Sequence, residues 1–326
     1  MPKRYGNLFH QIVSLANLRA AHHAARRGKG FYREVKWVNG REERLLRRLR
    51  KNLVGGRFTT SSYTVERRQE SGKIRVIHKL PYYPDRVVHH AICRVCNPIW
   101  EASLIRDTFQ SIPGRGISDA RRRVSRVINR DQPRYALQLD IEQFYPSVRP
   151  AMTKAAVRRK IKCPATLALL DDIIDSQDGL PLGNYTSQIF GNLVLSPLDW
   201  QVKQELGVRG YFRYCDDLVL LGDDQAYLKA CQTKIESALE RKGLALKPEK
   251  RWVDFSAGHG LDFCGYVFRP GSVRVRPHIL NSYRKTVRSR RPMTAARRSS
   301  LAAYWGWVRP VTGRRSIGSQ RQWGQP

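Results

Sequence analysis

Apolar residues along this chain recur with two different periods. Leu45, Leu46, Leu49 and Leu53 fall at helical spacing in an otherwise charged stretch, which predicts an amphipathic helix over 41–53. Residues 73–78 alternate between polar and apolar, a strand pattern that follows the turn signal Ser71-Gly72. Val87, Val88, Ala91, Ile92 and Val95 predict a buried helix, the chain breaks at 112–116, and a basic helix runs over 119–129. Residues 135–140 read as an apolar strand ending on a carboxylate, and 151–176 as helical. A Gly/Pro-rich turn at 179–183 leads into 186–198, apolar enough for a buried helix. Residues 211–221 have the composition of a β-hairpin with an acidic tip. A helix follows from Asp223 or Asp224 as N-cap to Gly243, with Leu228, Cys231, Ile235 and Leu239 turned inward. Helices and strands mixed in this way, without a regular βαβ repeat, predict an α+β fold.

Composition sharpens the picture. The 326 residues are 41% hydrophobic, so the net charge of +33 sits on a chain that can fold. Such an excess points to a polyanionic partner, nucleic acid ahead of an anionic membrane, and is far more than a small acidic metabolite needs. Residues 1–58 hold 15 basic and 3 acidic side chains, and residues 263–326 hold 14 basic and no acidic ones. The acids are concentrated in the middle. Six cysteines without a secretory leader read as thiols of a reducing cytoplasm, and no run approaches the roughly 18 apolar residues of a membrane span. A soluble cytoplasmic protein with no membrane partner is expected.

Two acidic features lie among apolar strands, Asp140 and the pair Asp216-Asp217. Carboxylates there are unfavourable unless paired, hydrogen-bonded or bound to a cation. Three of them converging would make a hard oxygen site suited to Mg²⁺, and two such ions can stabilise both oxygens of an in-line phosphoryl displacement. By pattern alone, a plain hairpin turn and a strand-end cap remain equally open. His89-His90-x-x-Cys93-x-x-Cys96 reads as packed core rather than as a zinc site, because no second cysteine pair accompanies it.

Tyr214-Cys215-Asp216-Asp217 has the Tyr-x-Asp-Asp form of the reverse transcriptase palm hairpin, and Leu139-Asp140-Ile141-Glu142-Gln143-Phe144-Tyr145 resembles the first catalytic motif of those enzymes. Gly179-Leu180-Pro181-Leu182-Gly183-Asn184-Tyr185-Thr186-Ser187-Gln188 resembles their palm-helix motif. Gly243-Leu244-Ala245-Leu246-Lys247-Pro248-Glu249-Lys250 resembles the lysine-bearing motif, and Leu261-Asp262-Phe263-Cys264-Gly265-Tyr266 the primer grip. Five motifs occur in the family's order over about 130 residues. Leu182 before Gly183, with Ser187-Gln188 at the end, is similar to the form found in reverse transcriptases of diversity-generating retroelements, group II intron-like enzymes of bacteria and phages.

This resemblance implies a right-hand polymerase with N-terminal region and fingers over 1–133, an antiparallel-sheet palm over 134–268 carrying a helical insertion at about 149–178, and a small helical thumb over 269–326. It implies RNA-directed DNA synthesis, error-prone at template adenines, that copies a template-repeat RNA to diversify a target gene. Asp140 and Asp216 would hold two Mg²⁺ ions, with Mn²⁺ as a substitute, supported by Asp217 and the Ile141 carbonyl. Lys250, or else Lys247, would protonate the leaving pyrophosphate. Lys73, Arg75, Tyr145 and Gln188 would bind the deoxynucleotide triphosphate, Tyr145 by filling the space of a 2′-hydroxyl. Leu182 and Gly183 would face the template base, and Phe263, Cys264, Gly265 and Tyr266 would grip the primer. Tyr283, Tyr304, Trp305, Trp307 and Trp323, set among arginines, suit a template–primer duplex. The implied partners are template RNA, a DNA or RNA primer and a small basic helical accessory protein. Ile112 departs from the family, where an arginine is common. A retron or phage-defence reverse transcriptase is the alternative, and a non-catalytic RNA-binding scaffold a more distant one.

Overall fold

The computed structural model describes residues 3–70, 73–289 and 292–311. Four helices come first: α1 (Phe9–Ile12), α2 (Leu15–Ala25), α3 (Arg33–Asn39) and α4 (Glu42–Val54). The Ser14 side chain caps α2 by accepting the Asn17 amide, and all four leucines predicted for α4 are buried. Among the described residues, strands β1 (Thr64–Glu70) and β2 (Lys73–Lys79) pair only with each other, as a hairpin. Next come α5 (Val87–Glu101), the two-residue β3 (Thr108–Phe109), α6 (Ile117–Asp131), β4 (Tyr135–Asp140) and the short α7 (Phe144–Ser147).

The stretch expected to be helical over 151–176 is two helices, α8 (Pro150–Arg158) and α9 (Pro164–Asp175). Pro164 has no amide hydrogen to continue a helix but suits the first turn of a new one. Then follow α10 (Ser187–Trp200), β5 (Gly210–Tyr214), β6 (Asp217–Gly222) and α11 (Gln225–Glu240), with Asp224 as its N-cap. The chain continues through β7 (Arg251–Asp254), β8 (Leu261–Phe263), β9 (Tyr266–Arg269), β10 (Ser272–Val275), α12 (Pro277–Arg288) and α13 (Ala295–Val308).

β3, β5, β6, β4 and β7 form one sheet in that order, antiparallel except for β3 against β5. Both faces of this sheet are covered, which explains why its strands read as continuous apolar runs. Leu137, Leu139, Leu218 and Leu220 point into the larger core with the apolar side of α10. Their alternates Ala136, Phe212, Val219 and Val253 point into a second core shared with α6, β8, β9, α12 and α13. The second sheet, β10-β9-β8, carries the chain across position 268 without a break, so the helical C-terminal part begins at Pro277. Trp323 lies outside the described residues. Among the described residues, no helix is long and apolar enough to cross a membrane.

Candidate active site

Asp140 ends β4 directly opposite Asp217 at the start of β6, so the sheet register alone brings the two carboxylates together. Backbone bonds fix the rest. The Ile141 amide donates to the Asp216 carbonyl (3.2 Å), the Glu142 amide to Ala245 (2.8 Å) and the Lys247 amide to Asp140 (2.8 Å). Asp140 and the buried Ile141 are thereby held between the β5–β6 turn and the segment entering β7. In that turn Cys215 adopts a left-handed conformation, φ 59°. Gln138 Nε2 donates to both Asp217 oxygens, at 3.0 and 3.1 Å. Lys247 Nζ lies 2.7 Å from Asp140 Oδ1.

Gathering three carboxylates is electrostatically unfavourable. Burial pushes the Asp217 carboxyl up to about 7, with the charges of Asp140 and Asp216 adding to the rise and the Gln138 bonds opposing it. Asp216 is raised as well, first by burial and then by Asp140, against its own amide and Lys247. Carboxylate oxygens are hard donors, and a divalent cation beside them would relieve this mutual repulsion. The register therefore makes Asp140, Asp216 and Asp217 neighbours at one end of the sheet, although their carboxylate oxygens do not all lie within 4.8 Å of one another.

Tyr145 meets this turn from the other side. Its hydroxyl is 3.1 Å from Cys215 Sγ, and burial raises the phenol above its ordinary range. Tyr145, Leu182, Gly183 and Gln188 share the lining of a cavity of about 230 Å³ with the basic Lys29 and Arg86. The backbone at Gly183 also has no room for a side chain. Its φ is 124°, and a Cβ there would lie 2.3 Å from the His78 carbonyl, while the His78 amide donates to the Leu182 carbonyl (2.7 Å). The glycine thus lets the end of β2 seat on the palm-helix loop. The Gln188 side chain accepts from the Ser111 hydroxyl. Ile112 is buried in the larger core, so the departure from the family pattern supplies packing at that position and no charge.

Lys73 opens β2, and Arg75 sits on the same strand, exposed and in register with Arg68. Lys250 is not beside the aspartates: its Nζ pairs with Glu236 of α11 at 2.9 Å, and Lys247 occupies the place next to Asp140. The four residues expected to grip the primer form the β8–β9 turn. Phe263 and Tyr266 are buried, whereas Cys264 is partly exposed at φ 49°. At Gly265, φ 79°, a Cβ would lie 2.3 Å from the Trp307 ring, and the Tyr266 hydroxyl donates to the Trp307 carbonyl (3.1 Å). This turn therefore joins the sheet to α13. Gln138, Arg213 and Asp199 are structural participants that the motif reading passed over. The signal available for Arg213 was a charged residue inside the apolar strand Tyr211-Phe212-Arg213-Tyr214.

Residues 66–268 match the model of the family described as reverse transcriptase (RNA-dependent DNA polymerase). The chain belongs to the reverse transcriptase family. Enzymes of this family use divalent metal ions, in keeping with the carboxylate cluster. Protein YkfC of Escherichia coli (strain K12) is 24% identical over 145 residues, 40% of this chain and 38% of YkfC. Among solved structures, apo telomerase from Candida tropicalis superposes with a TM-score of 0.53 at 11% identity, covering 76% of this chain and 53% of that one. Candida tropicalis telomerase in complex with a fragment of telomeric RNA gives 0.50 at 10% identity, covering 86% and 58%. The reverse transcriptase chain described here thus spans under two-fifths of YkfC and somewhat over half of the telomerases. Its fold is the right-hand polymerase fold. In that fold the palm is an antiparallel sheet, the part played here by the five-stranded sheet.

Proposed function

We propose that the chain is an RNA-directed DNA polymerase whose catalytic centre is Asp140, Asp216 and Asp217. The observation that carries this reading is the register of β4 on β6, which sets Asp140 against Asp217 with Asp216 in the adjoining turn. Asp140 and Asp216 would hold divalent ions, Mg²⁺ or Mn²⁺, and Asp217, tethered by Gln138, would support them beside the Ile141 carbonyl. Such ions supply positive charge at the attacking 3′-oxygen and the leaving pyrophosphate. Lys247, which pairs with Asp140 where Lys250 pairs with Glu236, would deliver the proton to the leaving group. The Tyr145 ring, held at Cys215, would close the space of a 2′-hydroxyl and so select deoxynucleotides. Lys73 and Arg75 on the fingers strand, together with Gln188, would meet the incoming triphosphate and its base. The Phe263–Tyr266 turn would support the primer from the thumb side. Candida tropicalis telomerase, which shares this fold, is solved with a fragment of telomeric RNA, and this supports RNA as a partner of the chain.

The finer reading is an error-prone enzyme of a diversity-generating retroelement, working with a small basic accessory protein. Its support is Leu182 in the cavity beside Tyr145 and Gln188. An apolar branched side chain constrains a template base by shape only, worth about 1–3 kcal/mol of discrimination. Primer extension on an RNA template, with products sequenced at template adenines, tests this reading. Leu182→Gln is expected to lower misincorporation opposite adenine several-fold, and an unchanged error spectrum would refute the role of Leu182.

A further inference from the structure

Beneath the catalytic turn lies a fully buried ion pair that the chemistry above does not use. Arg213 on β5 and Asp199 near the end of α10 are both 0% exposed. Every N–H of the guanidinium is occupied. Nε and one Nη2 hydrogen form a fork on the Asp199 carboxylate, both at 2.7 Å, and the second Nη2 hydrogen reaches the Asn192 carbonyl at 3.4 Å. Nη1 donates to Asn192 Oδ1 (2.9 Å) and to the backbone carbonyl of Cys215 (2.8 Å). Asp199 also accepts from the Tyr211 and Thr108 hydroxyls.

The last of the arginine contacts matters for the site. The Cys215 carbonyl belongs to the peptide plane that leads into Asp216, and Cys215 holds a left-handed conformation unusual for a residue with a side chain. Fixing that carbonyl from below fixes the direction in which Asp216 leaves the turn, while Tyr145 holds the same residue by its thiol from above. A buried pair is not needed for stability as such, because apolar or neutral replacements are often tolerated when both charges go together. What such replacements cannot supply is a donor to the Cys215 carbonyl.

We propose that Arg213, held by Asp199 and Asn192, is a positioning residue that sets Asp216 for cation binding through the Cys215 carbonyl. This inference rests on the polymerase reading. Two variants test it. Arg213→Met/Asp199→Asn removes both charges together and keeps an acceptor for the Tyr211 hydroxyl. Arg213→Lys keeps the buried charge but replaces the planar five-donor fork with a single ammonium.

For each variant, thermal melting reports folding, electron paramagnetic resonance titration with Mn²⁺ reports cation affinity, and primer extension over a range of Mg²⁺ reports the ion requirement. Folded variants are expected to bind Mn²⁺ about tenfold more weakly and to need about tenfold more Mg²⁺, as loss of an orienting contact behind a ligand does. Binding of an RNA–DNA template–primer should stay within about twofold, because that grip is spread over the basic walls. Excess Mg²⁺ should restore much of the lost rate. A folded variant with the parent's Mn²⁺ affinity and Mg²⁺ requirement overturns the proposal, and so does failure of both variants to fold, since the fold is held not to need the charges. Failure of the parent to extend a primer with any divalent ion would instead defeat the polymerase reading.

Discussion

At the residue scale, Lys247 and Lys250 flank the same Pro248-Glu249 step, yet only Lys247 reaches Asp140. The backbone decides this, because the Ile141–Leu246 bridge delivers the next side chain to the carboxylates. Lys247→Ala is expected to slow single-turnover extension by about 10²-fold, the usual scale for losing a proton donor, whereas Lys250→Ala should leave the rate nearly unchanged. Equal losses would remove Lys247 from the site. Asp217 makes a pH prediction. Its carboxyl is held at about 7, above the value of about 3.9 in an unfolded chain. The stability it contributes is therefore complete below pH 4 and is lost as pH rises through 7. In cation-free buffer, Asp217→Asn should be more stable than the parent at pH 8, with the difference vanishing toward pH 4. Denaturant titrations at both pH values measure it, and a difference independent of pH contradicts the assignment.

At the element scale, what could be read from the chain follows from burial. The palm strands were legible because both faces of β6 and β4 are covered, leaving uninterrupted apolar runs such as Leu218-Val219-Leu220-Leu221. The helices α4 and α11 were legible through periodicity and capping. β7 to β10 hold three or four residues each, too few for a period-two pattern to stand out. The three aspartates were legible as separate motifs, but their joining depends on a strand register that pattern does not specify. Gln138 and Asp199 carry no local signal, since their function lies in partners 79 and 14 residues away.

Gly265 tests the junction between the sheet and the thumb. A methyl group there meets the Trp307 ring, and φ 79° is strained for any other residue. Gly265→Ala is expected to lower stability by about 1–3 kcal/mol and to shorten the products made per binding event. Product lengths in the presence of a competitor trap measure this, and unchanged lengths would mean that α13 does not depend on this contact.

At the scale of the whole molecule, the charge of +33 divides into basic walls and a nearly balanced middle. The middle contains the acids near the β5–β6 turn, and under the proposed function the basic ends of the chain would supply the charge that a template–primer needs. The exposed apolar residues Val65, Ile74 and Val76 lie on the β1–β2 hairpin, a two-stranded element that gains little stability alone. Under the proposed function these parts form an RNA-directed DNA polymerase around Asp140 and Asp216. Extension of a DNA primer on an RNA template in Mg²⁺, by the parent and by Asp140→Asn and Asp216→Asn, tests it most directly. Complementary DNA is expected from the parent and a loss of at least about 10³-fold in both variants, since cation-dependent charge stabilisation is then removed. Extension at the parental rate by either variant, or none by the parent with any divalent ion, would contradict it.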